Sequence, residues 1–65
     1  MAAKLEWVDE KLMFGAFVLA RLEARRYVLA TGHESERYDE PEDMAQDCEA
    51  EVRCLLREAG VEVMP

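Results

Sequence analysis

Apolar residues recur at three- and four-residue spacing in two blocks, and a polar stretch from Gly32 to Pro41, rich in turn formers and charge, separates them. This pattern predicts an all-α fold, a helical hairpin of two antiparallel helices. The first helix is expected from about Asp9, a side chain suited to an N-cap, to about Thr31, with Gly32 as the left-handed residue that ends helices. Residues 1–8 read two ways. Lys4-Leu5-Glu6-Trp7 alternates as a strand does, whereas Leu5, Val8 and Leu12 share a helical face, so the helix is drawn as starting as early as Ala3.

An acidic loop over 32–40, a second helix over about 41–59 and a short tail over 60–65 complete a single small domain. The second helix has clear ends. Asp39 or Glu40 serves as cap, Pro41 sits in the first turn, and Glu42 and Asp43 lie near the positive end of the dipole. Arg57 lies in the last turn, and Gly60 closes the helix in a Schellman-type end with Val61 near Leu56. The tail Val61-Glu62-Val63-Met64 is compatible with a short added strand.

The two helices do not match. Helix two gathers Met44, Ala45, Cys48, Val52, Leu55, Leu56 and Ala59 into one stripe of roughly 120°. Helix one has Leu12, Met13, Ala16, Phe17, Ala20, Ala24 and Tyr27 on one face and Gly15, Val18, Leu19, Leu22 and Leu29 on another. A helix apolar nearly all round must be covered nearly all round, so a homodimer forming a four-helix bundle is expected. Gly15, beside the row Ala16, Ala20 and Ala24, is expected to let a neighbouring helix approach closely.

Length and charge narrow the picture. At 65 residues the chain buries a smaller share of its surface than a larger domain would, so help from a partner subunit is in character. The net charge of -7 is concentrated. Residues 1–31 carry five bases and four acids, 32–51 one base and nine acids, and 52–65 two of each, giving +1, -8 and 0. Such a balance opposes direct contact with nucleic acid or an anionic membrane. The longest uncharged run, Leu12–Ala20, is far shorter than the roughly 20 residues of a membrane span. The N-terminus lacks the pattern of a secretory signal, which points to the cytoplasm and to reduced cysteines.

The chemistry-bearing residues form no catalytic or metal-binding motif. His33 is the only histidine and lies in the acidic loop, and with Cys48 and Cys54 it supplies neither the count nor the spacing of a zinc site. The two cysteines are about 9 Å apart along a helix axis, beyond the limit of about 7 Å for a disulfide. Cys48 falls in the apolar stripe as a small core residue, and Cys54 falls on the acidic flank.

These features point to a non-enzymatic protein–protein interaction module, a small acidic adaptor or inhibitor of the stand-alone kind that phages and mobile elements encode. Its expected partner is a larger protein with a basic surface. One alternative is an acidic nucleic-acid mimic that blocks a basic groove, and another is a purely structural, self-associating subunit. The apolar interface is expected at Phe14, Gly15, Val18, Leu19, Leu22 and Leu29, and the acidic one at Asp43, Asp47, Glu51 and Glu58. No catalytic, cofactor-binding or metal-binding residue is expected.

Overall fold

A computed structural model describes residues 3–64. Four strands form an antiparallel meander: β1 Ala3–Val8, β2 Lys11–Phe14, β3 Phe17–Glu23 and β4 Arg26–Leu29. One helix follows, α1 Pro41–Glu58, and then a short strand, β5 Val63–Met64, which pairs parallel to β1. The sheet order is β4-β3-β2-β1-β5, and α1 packs on one face. The all-α helical hairpin is therefore wrong, and so are the helix over 9–31, its possible start at Ala3 and the four-helix bundle built upon it.

The spacing of inward side chains explains how a sheet imitates a helix. Leu5, Trp7, Leu12, Phe14, Ala20, Leu22, Tyr27 and Leu29 share the face toward α1, as the strand registers and burial require. A short strand plus a two-residue turn repeats every seven residues, as in Leu5 to Leu12, Trp7 to Phe14 and Ala20 to Tyr27. Seven residues are also two helical turns. Part of the second apolar face assigned to helix one came from inward pairs two residues apart, Ala20 with Leu22 and Tyr27 with Leu29, which a helix would place on different sides.

The turns conceal the hairpins further. Asp9-Glu10, Gly15-Ala16 and Ala24-Arg25 connect successive strands, and the first residue of each is left-handed, at φ 57°, 63° and 53°. Only one of the three is a glycine, the residue that ordinarily announces such a turn. Gly15 therefore serves a hairpin and not a close helix approach. Asp9 is a turn residue and no helix cap. Gly32, at φ 97°, follows β4, and its N–H donates to the Leu29 carbonyl oxygen at 2.9 Å.

A shift of register between Leu12 and Met13 adds one residue, Leu19, to β3. The extra residue keeps Ala20 opposite Leu12 on the covered face and Val18 opposite Met13 on the other. The core consists of Leu5, Leu12, Ala20, Tyr27 and Leu29 from the sheet and Met44, Cys48 and Val52 from the helix. Leu12 and Cys48 are fully enclosed.

The helix follows its local signals. Glu40 occupies the N-cap position, Pro41 begins the first turn, and Arg57 lies in the last. At the other end the Gly60 N–H donates to the Arg57 carbonyl at 3.0 Å and the Val61 N–H to the Leu56 carbonyl at 2.9 Å, the paired bonds of a Schellman motif.

Candidate interaction surface

Carboxylates on both flanks of α1 are turned toward the sheet. On the β4 side, the Tyr38 hydroxyl donates to Asp47 Oδ2 at 2.8 Å and the Tyr27 hydroxyl to Glu51 Oε1 at 3.5 Å. His33 Nε2 lies 3.9 Å from Glu51 Oε2, and the two tyrosine rings sit 6.0 Å apart in a tilted pair. On the β1 side, Trp7 Nε1–H donates to Glu49 Oε1 at 3.2 Å, and Arg53 Nε lies 3.4 Å from Glu49 Oε2. These bonds fasten the helix along both flanks.

They also perturb titration. Asp47, as acceptor, pushes the Tyr38 phenol well above its ordinary value. Burial raises that of Tyr27, and the charge of Glu51 adds to the effect. Burial likewise raises the Cys48 thiol to about 11, helped by Glu51 and Glu49. A thiol so placed is a core residue, since nucleophilicity belongs to the thiolate.

Of the four acidic positions singled out from the sequence, Asp47 and Glu51 thus hydrogen-bond to the chain's own tyrosines, while Asp43 and Glu58 face solvent. The six apolar positions are scattered by the sheet. Leu29 is buried in the core, and Phe14, Leu19 and Leu22 are half-buried against it. Gly15 lies at a turn, and Val18 stands on the opposite face with 43% of its surface exposed. Leu19 and Leu29 line, with Thr31, Val52, Leu55 and Leu56, an apolar cleft of about 150 Å3 between the sheet and the C-terminal half of α1.

The face of the meander turned away from α1 carries the other half of each strand. Its rows follow the strand register. One row runs Glu6, Met13, Val18, and the next runs Val8, Lys11, Arg21, Val28 across all four strands. Beyond them Glu23 stands opposite Arg26. Val8 is 50% exposed, and Met13 and Val28 are half-buried. The face is therefore aliphatic and cationic together.

Its charges are unevenly matched. Lys11 and Arg21 are direct cross-strand neighbours, an arrangement that costs energy because like charges oppose. Arg21 Nε reaches Glu23 Oε2 at 2.7 Å, while no ion pair is formed by Lys11 among the described residues. At the β3–β4 turn, Arg25, Arg26 and Arg37 line one side of an open cleft of about 280 Å3 with Glu23 and Ala24. The Tyr38 N–H donates to the Arg25 carbonyl at 2.8 Å and holds the loop against that turn. Arg25 Nη1 lies 3.5 Å from Asp39 Oδ1.

These cations are not singled out from the sequence, because Lys11, Arg21 and Arg26 come onto one face only once the chain is folded into strands. The alternation in Lys4-Leu5-Glu6-Trp7 was the available signal. Comparisons with protein-family models, with curated proteins and with solved structures find no match for this chain. No helix among the described residues is long and apolar enough to cross a membrane.

Proposed function

We propose that this chain is a non-enzymatic protein-binding module whose docking surface is the sheet face that α1 leaves uncovered. The observation that supports the reading is the pattern of that face, where Val8, Met13, Val18 and Val28 alternate with Lys11, Arg21 and Arg26. Aliphatic side chains there gain from burial at about 25 cal/mol per Å2, and the guanidinium groups offer directional contacts to a partner's carboxylates. A cytoplasmic setting with reduced thiols suits the reading.

The test is affinity capture from the native host with wild-type protein and with Met13→Glu/Val28→Glu, which places charge on the face without entering the core. A partner held by the wild type and lost by the double variant supports the reading. A partner held equally by both moves the function to another surface.

A further inference from the structure

We infer that the first occupant of the uncovered face is a second copy of this chain, whose acidic segment 34–43 lies across the basic side chains of that face in a two-fold dimer. The inference rests on the interaction-module reading and names its partner.

The chemistry of both halves is present in one chain. Five of its eight basic residues lie on or beside this face: Lys11 and Arg21 are direct cross-strand neighbours, Arg26 stands opposite Glu23 two residues further along, and Arg25 and Arg37 line the adjoining cleft. Neighbouring strands are about 4.8 Å apart, so Lys11 and Arg21 present two cations side by side, with Arg26 displaced by two residues along β4. The segment Glu34-Ser-Glu-Arg-Tyr-Asp-Glu-Pro-Glu-Asp43 carries six acids and one base. Its first part runs along the outer edge of β4, where Ser35 N–H donates to the Tyr27 carbonyl at 2.9 Å and Leu29 N–H to the His33 carbonyl at 2.8 Å. The donor of acid in one copy thus borders the basic side chains that would receive acid from the other.

Area requires the loop to take part. Four strands about 4.8 Å apart and about five residues long at 3.3 Å each present roughly 300 Å2 of projected face. Even doubled for side-chain relief, that falls short of the ~800 Å2 that each partner contributes to a stable interface. In a two-fold arrangement each copy adds the surface of its own acidic segment to the area that it contributes.

The same face argues against nucleic acid as occupant. Its described side chains are aliphatic and charged, with no aromatic ring to stack a base: Trp7, Phe14 and Tyr27 point toward the helix, and Phe17, though 71% exposed, is registered opposite Phe14 on that same side of the sheet. The chain's net charge of -7 repels a polyanion and a second copy alike, so pairing with a second copy depends on the local match between the basic side chains and the acidic segment.

Salt separates the local from the global effect. Attraction between the basic side chains and the acidic segment weakens as salt rises, whereas repulsion between two chains of equal charge is relieved by salt. Sedimentation equilibrium of the full chain with reductant should show a dimer about tenfold weaker in about 0.5 M than in about 0.05 M salt. Lys11→Glu/Arg21→Glu and Glu36→Lys/Glu40→Lys should each be monomeric, with the wild-type circular dichroism spectrum. Mixing the two variants should restore the dimer, because one contact is then native and the other reversed in both partners.

A wild-type chain that stays monomeric at millimolar concentration overturns the inference, as does a mixture that stays monomeric. A dimer that both variants retain, or that salt strengthens, also overturns it and leaves the aliphatic face as an interface of another kind. A host partner lost by Met13→Glu/Val28→Glu while the wild type stays monomeric would keep the interaction-module reading and reject the second copy alone.

Discussion

Leu12 and Met13 are neighbours in β2, and they live under opposite rules. Leu12 points beneath α1 among Trp7, Ala20 and Cys48 and is wholly enclosed, whereas Met13 stands between Glu6 and Val18 on the uncovered face. On the covered face the buried positions are fixed by packing, and Cys48 is the small residue fully enclosed between helix and sheet. On the other face nothing within the chain fixes the choice, yet the choice is not a uniformly polar one. A strand free of duties would read charged and threonine-rich on its solvent side; Met13, Val18 and Val28 do not.

The largest contrast between the faces should come from truncating these neighbours. Leu12→Ala removes a fully buried side chain and should cost about 2–5 kcal/mol, enough to unfold much of the population of so small a domain. Met13→Ala should change stability by no more than about 0.5 kcal/mol in the monomer. Urea titration of both variants, followed by Trp7 fluorescence, checks the difference. Equal losses would mean that the two faces are equally structural.

Alkaline pH should loosen the covered face first. The Cys48 thiol is raised from 9.0 to about 11 in the folded chain, so its contribution is complete below pH 9 and is lost as pH climbs toward 11. Tyr27 and Tyr38 are raised in the same direction from 10.0, so they extend the loss at higher pH. Thermal melts should show a falling midpoint above pH 9, and Cys48→Ala should flatten the early part of that fall. In native protein at neutral pH, a thiol reagent should modify exposed Cys54 and spare Cys48.

The turns offer a smaller and opposite effect. Ala24 is held at φ 53°, a region that costs a residue with a Cβ roughly 1–2 kcal/mol. Glycine escapes that strain but gives up more entropy on folding, so Ala24→Gly should raise stability by about 0.5–1 kcal/mol in denaturant titration. Smallest of all, Lys11→Thr removes one of two facing cations and should stabilise the dilute monomer by a few tenths of a kcal/mol, up to about 1 kcal/mol. A loss there would show that Lys11 has a favourable partner in the free chain.

The helix was legible because its signals are local. Pro41, the acids at its start, the stripe Met44-Cys48-Val52 and Gly60 each speak for themselves within a turn or two. The sheet was not legible because its evidence is relational. A seven-residue repeat of strand and turn coincides with two turns of helix, and the extra Leu19 lengthens one repeat to eight without breaking the likeness. Alanine and aspartate at two of the three left-handed turn positions hid the hairpins. What remained visible was the anomaly of a helix apolar on all sides, which is what pairs of inward residues two apart produce when wound at 100° per residue. The acidic flank was visible as a line on α1, but the tyrosines that engage Asp47 and Glu51 come from β4 and the following loop.

The pairing of Ala3 with Val63 joins residues sixty apart in sequence, while the meander's other pairings are made by strands two residues from one another. Closing so long a loop in an unstructured chain costs on the order of 3–4 kcal/mol in entropy. Once the hairpins have zipped and α1 has docked, only residues 59–62 separate the helix from β5, so β5 is expected to join last on the way to the native state. In amide hydrogen exchange the β1–β5 ladder should therefore open first and the strands flanking Leu12 last, so that the strand pairing most distant in sequence among the described residues is the first to break.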